Sequence, residues 1–63
     1  MTPEKRKKIM KERKIKQKHI REALHPPVSQ SAISQVISGT QTSDRIRKEY
    51  CRQTGVSFEE AWN

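Results

Sequence analysis

The 63-residue sequence predicts an all-α fold, a compact bundle of four to five short helices, and three observations indicate it. In residues 16–24 and again in residues 29–38, apolar side chains recur at intervals of three and four positions, which is the spacing of one helix face. Residues that start and end helices flank the second stretch, with Ser29 before it and Gly39 after it. No segment has the two-residue alternation of paired strands. We therefore expect a single helical domain over residues 1–63.

The N-terminal segment has the residues of a helix start. Thr-Pro-Glu at positions 2–4 offers a capping hydroxyl, a proline for the first helical position and an acid for the first turn. These residues predict a helix that runs to about Lys14. An alternative for residues 1–7 is a flexible basic arm, because few apolar side chains anchor them.

Two central helices are separated by a short break. Pro26 and Pro27 interrupt the chain because proline lacks a backbone donor and restricts the residue before it. The side chains predicted to face the core from the two sides of this break are Ile20, Ala23, Leu24, Ile33, Val36 and Ile37.

Two further helices are predicted after Gly39. Thr42 or Ser43 is expected to cap the first of them, which Gly55 ends. Ser57 and the acid three residues later form a capping-box pattern that opens a last helical turn. The side chains predicted to face inward here are Ile46, Tyr50, Phe58, Ala61 and Trp62.

The charge of the chain is concentrated in its first part. Residues 1–25 contain ten Lys/Arg and three Asp/Glu, so 10 − 3 = +7, while residues 26–63 contain four of each and sum to zero. This asymmetry predicts a polyanionic partner, either nucleic acid or anionic lipid. A membrane-surface helix needs a clean apolar face, which the basic segment lacks, so nucleic acid is favoured.

Several other classes are disfavoured by the side chains that the sequence contains. The single cysteine, Cys51, forms no intramolecular disulfide, and no stretch approaches the roughly 20 apolar residues of a membrane span. His19 and His25 do not have the spacing of zinc ligands. Adjacent acids such as those at positions 59–60 point apart on a helix. We expect no enzyme, no cofactor and no small-molecule substrate.

The outer face of the 29–38 helix is polar but carries no charge. Its outward positions are Gln30, Ser31, Ser34 and Gln35. Solvated helix faces usually carry Lys and Glu, whereas amide and hydroxyl groups suit a surface that approaches other donors and acceptors. Gln pairs with adenine through two hydrogen bonds, and Ser bonds several bases, so these four residues are predicted to read base edges in a DNA major groove.

The stretches "KQKHIREAL" and "VSQSAISQVISG" together resemble the helix-turn-helix of the lambda repressor/Cro-like family of phage and bacterial transcription regulators. The resemblance implies that Gln17 and Ser29 lie near phosphate, that Gln30, Ser31 and Gln35 read bases, and that Ile33 and Val36 are core positions. The sequence "IRKEYCRQTGVSFEEAW" resembles the closing helices of that family. Three departures from its pattern are a turn that is two residues longer, Arg21 in place of Ala, and Lys16 in place of a Ser/Thr cap.

Lys and Arg side chains add sequence-independent affinity by neutralising phosphates. The lysines of the predicted phosphate set are Lys14, Lys16 and Lys18, and Lys5, Arg6, Lys8 and Arg13 are further candidates. Thr40 and Thr42, just past the end of the 29–38 helix, are predicted to contact the backbone as well.

The sequence therefore predicts a regulator that binds double-stranded DNA sequence-specifically, most simply a repressor that acts by occupying its operator. We expect a homodimer, at least on DNA, an inverted-repeat site and a cytoplasmic location in a bacterial or phage-infected cell. The surface around Tyr50, Phe58 and Trp62 is the candidate dimer contact. Two alternatives are a non-specific architectural DNA-binding protein and a protein-interaction module, such as an inhibitor of a host enzyme. RNA binding is weaker, because no stacking aromatics accompany the basic residues.

Overall fold

The computed structural model describes residues 1–62 and is entirely helical apart from its connections. Its five helices are α1 (Pro3–Glu12), α2 (Gln17–Ala23), α3 (Gln30–Ser38), α4 (Asp44–Thr54) and α5 (Phe58–Trp62). No strand occurs in this part of the chain. The all-α class and the compact helical bundle are confirmed, and Asn63 lies outside the described residues.

Side-chain caps fix the start of three helices. Thr2 Oγ1 accepts a hydrogen bond from the Lys5 amide at 3.2 Å, and Ser29 Oγ accepts one from the Ala32 amide at 3.1 Å. Ser57 Oγ likewise accepts from the Glu60 amide at 3.2 Å. Each bond satisfies an amide that a first helical turn leaves unpaired. At α4, Ser43 occupies the N-cap position, but its side chain makes no capping bond.

Two glycines end helices in the left-handed conformation. Gly39 has φ +87° after α3, and Gly55 has φ +77° after α4. Glycine adopts these angles without the steric cost that a side chain adds. The predicted ends of both helices are confirmed.

The core lies where α2, α3 and α4 meet, with α1 and α5 closing it. Its buried apolar side chains are Met10, Ile20, Leu24, Ile33, Val36, Ile37, Ile46, Tyr50, Val56 and Ala61. The predicted inward position of Phe58 is wrong, because at the start of α5 its side chain is 40% exposed and Ala61 takes the buried position. The prediction that Ala23 faces the core is also wrong, because Ala23 is exposed. The chain leaves α2 at Leu24, whose extended backbone directs the larger Leu side chain inward instead.

Arg6 is buried rather than available to phosphate, with 7% of its surface exposed. Its guanidinium donates to the carbonyl oxygens of Ile37 and Ala61, both at 2.8 Å, near the C-terminal ends of α3 and α5. It also lies 5.0 Å from the centre of the Trp62 ring. Arg6 is therefore no longer a candidate for phosphate contact. Residues 3–7, considered above as a basic arm, form the first turns of α1.

The connection between α2 and α3 is held against α4. Arg45 Nη2 donates to the Pro26 carbonyl at 2.6 Å, and Gln53 Nε2 donates to the His19 carbonyl at 3.1 Å. The peptide bond before Pro26 is cis. The two hydrogen bonds hold this connection and the middle of α2 against α4. They therefore fix the direction in which the chain enters α3.

Candidate nucleic-acid interface

The outer face of α3 is exposed along its whole length. Gln30, Ser31, Ser34 and Gln35 are all exposed, as the sequence predicted from their positions. The only hydrogen bond between two of them joins Gln35 Nε2 to Ser31 Oγ at 3.5 Å. Gln30 Oε1 also accepts a long hydrogen bond from Arg21, and the exposed amide and hydroxyl groups that remain are available to an external partner. We call these four residues the α3 face.

The inner side of α3 fixes the rotation of this helix. Ile33, Val36 and Ile37 have no exposed surface, so α3 cannot turn about its axis without exposing them. Ser38 Oγ donates to the Ser34 carbonyl at 2.9 Å near the C-terminal end. A buried apolar stripe on one side thus determines which polar residues face outward on the other.

Arg21 lies beside the first residue of the α3 face. Its Nη1 donates to Gln30 Oε1 at 3.4 Å. From the sequence, Arg21 is only a bulky replacement for Ala, and its position near the predicted base-reading residues is not expected. The contact accounts for how a large side chain fits between α2 and α3, because the guanidinium lies over the outside of the helix pair.

A groove with cationic walls adjoins this point. It lies between α1, the connection over residues 13–16 and α2, and it ends at Gln30. Its apolar residues are Met10 and Ile15, and no acidic side chain lines it. The cations that line it are Lys7, Lys11, Lys14, Lys16, Lys18 and Arg21. We call this feature the basic groove.

The basic groove brings together four of the predicted phosphate-contact residues. Lys14, Lys16, Gln17 and Lys18 all line it, whereas Ser29 lies next to it, at the start of α3. Lys7 and Lys11 also line it, although the sequence analysis did not select them. Lys7 and Lys11 are four residues apart and Lys14 follows three residues later, which is the spacing of one helix face. This spacing is the feature of the sequence from which Lys7 and Lys11 could have been identified.

Lys5 and Lys8 point to a different side of α1. They line a separate shallow depression together with Glu4, Ile9 and Glu12. Acids and bases are mixed there, so the local charge is partly balanced. Both acidic residues of α1 line this depression, and neither lines the basic groove.

The predicted phosphate residues Thr40 and Thr42 lie beyond the opposite end of α3. Thr40 Oγ1 donates to the Gln35 carbonyl at 3.2 Å, and Thr42 Oγ1 accepts from Arg47 Nη2 at 3.5 Å. Both threonines are exposed. The predicted contacts therefore form two sets, one at each end of the α3 face.

Among the described residues, no carboxylate forms an ion pair with the Lys and Arg side chains of positions 5–21. Within residues 1–62, the one ion pair joins Glu49 and Arg52 on α4. The hydrogen bond from Arg52, together with a weaker one from Gln53, holds the pKa of Glu49 below its ordinary value. The cations that line the basic groove thus remain available to an external anion.

The groups considered for other chemistry are placed as follows. Cys51 is partly buried, and burial raises the pKa of its thiol, which disfavours the thiolate that a nucleophile needs. His19 Nδ1 accepts a hydrogen bond from the Lys16 amide at 3.0 Å and so closes the start of α2. Residues 1–62 contain no group of three His, Cys, Asp or Glu side chains arranged for a metal ion. No helix in the described part of the chain has the length and apolarity to cross a bilayer.

Comparison of the chain with models of known families, with curated proteins and with solved structures gives no match. The family resemblance drawn from the sequence, and the helix-turn-helix with it, therefore stays a prediction.

Proposed function

We propose that the chain is a transcription regulator that binds double-stranded DNA sequence-specifically and inserts α3 into the major groove. The observation that carries this proposal is the α3 face itself: four exposed amide and hydroxyl side chains without a charge, next to a concentration of unpaired cations. Uncharged groups read base edges through hydrogen bonds, while cations bind phosphate at any sequence.

The dimensions of α3 support this docking. A helix of nine residues is about 14 Å long, close to the roughly 12 Å width of the major groove. The predicted phosphate residues lie at both of its ends, with Ser29 and the basic groove at one end and the Thr40–Thr42 segment at the other. Such an arrangement matches two DNA strands that border one groove.

Gln30 and Gln35 are the strongest candidates for discrimination between bases. A glutamine amide that pairs with one base through two hydrogen bonds discriminates by about 1–3 kcal/mol. Gln30 lies in the first turn of α3, where recognition helices contact base edges. Ser31 and Ser34 complete the face with hydroxyl groups that both donate and accept.

Repression by occupancy of an operator is the simplest action for this regulator, which we place in the cytoplasm of a bacterial or phage-infected cell. One helix contacts few base pairs, so we propose a homodimer on an inverted repeat with half-sites one helical turn apart. Phe58, which is 40% exposed, and the neighbouring Trp62 ring, 6.0 Å away between centroids, form the candidate dimer surface. Tyr50, which the sequence also suggested for this surface, is fully buried and does not belong to it.

The proposal is tested by selection from a pool of random duplexes at near-physiological salt with competitor DNA. We expect enrichment of one sequence, arranged as an inverted repeat. Salt-sensitive binding without any enriched sequence would replace the proposal with non-specific architectural binding. Absence of DNA binding would reject both and favour a protein partner for the α3 face.

A further inference from the structure

Helix α1 separates its charges between two faces. The face on the basic groove carries Lys7 and Lys11, and Lys14 follows just past the helix end with φ +58°. Lys5 and Lys8 line a separate depression together with both acids of the helix. Like charges three and four residues apart on one helix face repel each other and destabilise it slightly. Cations that line one groove without a carboxylate among them favour an anionic ligand, which would offset this repulsion.

We infer that the basic groove binds the sugar–phosphate backbone of the DNA strand that passes the N-terminal end of α3. This inference rests on the function proposed above and adds α1, through Lys7 and Lys11, to the DNA-binding surface. The ligand chemistry follows from the lining: six cations, no carboxylate, and an apolar part in which Ile15 is partly exposed and Met10 is buried. Phosphates are bound by the cations, and the apolar part accommodates the C–H faces of deoxyribose.

The position of Gln30 connects this groove with the α3 face. Gln30 both lines the end of the groove and belongs to the predicted base-reading set. A strand whose phosphates lie in the groove therefore has its bases next to the first turn of α3. Arg21 lies at the same junction, with its guanidinium on the Gln30 side-chain oxygen. The groove thus sets the register in which α3 meets the bases.

The experiment measures the affinity of the full chain for one random-sequence duplex as a function of salt concentration. Three proteins are compared: the wild type, the groove variant Lys7→Gln/Lys11→Gln, and the matched variant Lys5→Gln/Lys8→Gln. Lys5 and Lys8 were phosphate candidates from the sequence, but they lie outside the groove, so the inference does not count them among the backbone contacts. Each phosphate contact contributes about 0.9 to the slope of log K against log salt. We expect the groove variant to reduce the slope by about two, and the matched variant to leave it close to the wild-type value.

Thermal melts show that the comparison is not affected by unfolding. Because the groove lysines repel each other, we expect the groove variant to melt at the same temperature as the wild type or above it. If both variants lose the same amount of slope, net charge alone determines binding. If the slope of the groove variant is unchanged, the groove does not bind the DNA backbone and has another ligand, such as an acidic protein segment. Both results overturn the inference while wild-type binding persists, whereas absence of wild-type binding would reject the proposed function itself.

Discussion

Helices α1 and α3 are nearly equal in length and pack in the same bundle, yet their outer surfaces differ completely. Of the ten residues of α1, seven are charged, whereas the nine residues of α3 carry no charge. Both helices bury one side in the core, through Met10 on α1 and Ile33, Val36 and Ile37 on α3. Burial therefore does not account for the difference, which the proposed function attributes to the different parts of DNA that each outer surface contacts.

The contrast indicates a division of tasks on one small scaffold. Charged side chains attract a polyanion over long distances but do not distinguish sequences, because every nucleotide carries the same phosphate. Uncharged amides and hydroxyls bind only where a matching edge is presented, and so they discriminate. A lysine on the α3 face would strengthen binding to every sequence and thereby weaken discrimination.

The largest effect is expected from a substitution in the core, because the core supports the outer surfaces of both helices. Ile33 is fully buried between α3 and the rest of the bundle. We expect Ile33→Ala to lower the free energy of unfolding by about 2–5 kcal/mol, because buried apolar contacts are lost and a cavity remains. Chemical denaturation measures the change. Ser34→Ala, at the exposed neighbouring position, is the control, and a similar loss in both variants would refute the assignment of inner and outer sides.

The second prediction concerns a basic residue of α1 that does not belong to the basic surface. Arg6→Leu removes the donors that reach the Ile37 and Ala61 carbonyls, and buried acceptors left without a partner cost about 1–3 kcal/mol. We expect denaturation to show this loss, with little change for the exposed control Lys5→Leu. A variant as stable as the wild type would mean that Arg6 is not needed to join α1, α3 and α5.

A smaller effect is expected where α3 ends. Gly39→Ala places a side chain at φ +87°, a conformation that costs an L-residue roughly 1–2 kcal/mol. The new Cβ would lie 3.8 Å from Arg6 Nη1, an ordinary contact, so the cost is conformational rather than a clash. Thermal melting of Gly39→Ala should show the loss, and Ser38→Ala tests whether any change at this helix end has the same effect.

The smallest effect concerns the paired charges of α4, which contrast with the unpaired cations of α1. The pKa of Glu49 in the folded chain lies below its ordinary value of 4.5, chiefly because Arg52 bonds its ionised form. The stabilisation is therefore complete above the unfolded pKa and is lost as the pH falls through the folded pKa. We expect wild-type stability to decrease below about pH 4.5, and Glu49→Gln to show a smaller decrease. Identical pH profiles would exclude the pair as a source of stability.

The helices were predictable from the sequence because their signals are local. Caps at Thr2, Ser29 and Ser57 and glycine ends at Gly39 and Gly55 are where the residue types placed them. The exposed position of the α3 face followed from the same periodicity, since a buried stripe fixes its opposite side.

The parts that depend on tertiary contacts were not predictable in this way. Arg6 has the same sequence surroundings as its basic neighbours, and only the packing of α1 against the ends of α3 and α5 buries it. The error at Ala23 arose because the helix ends there and Leu24 turns inward. Arg21 and Gln30 are nine residues apart and meet only after the turn between α2 and α3 has folded.

The central claim, that the uncharged α3 face reads bases, is tested most directly by Gln35→Ala. Its affinity is compared with that of the wild type on the selected duplex and on a random duplex, at one salt concentration, with Gln41→Ala as a control just beyond α3. We predict a loss of about 1–3 kcal/mol on the selected duplex, roughly 5- to 150-fold in affinity, and no loss on the random one. Equal losses on both duplexes would contradict the claim.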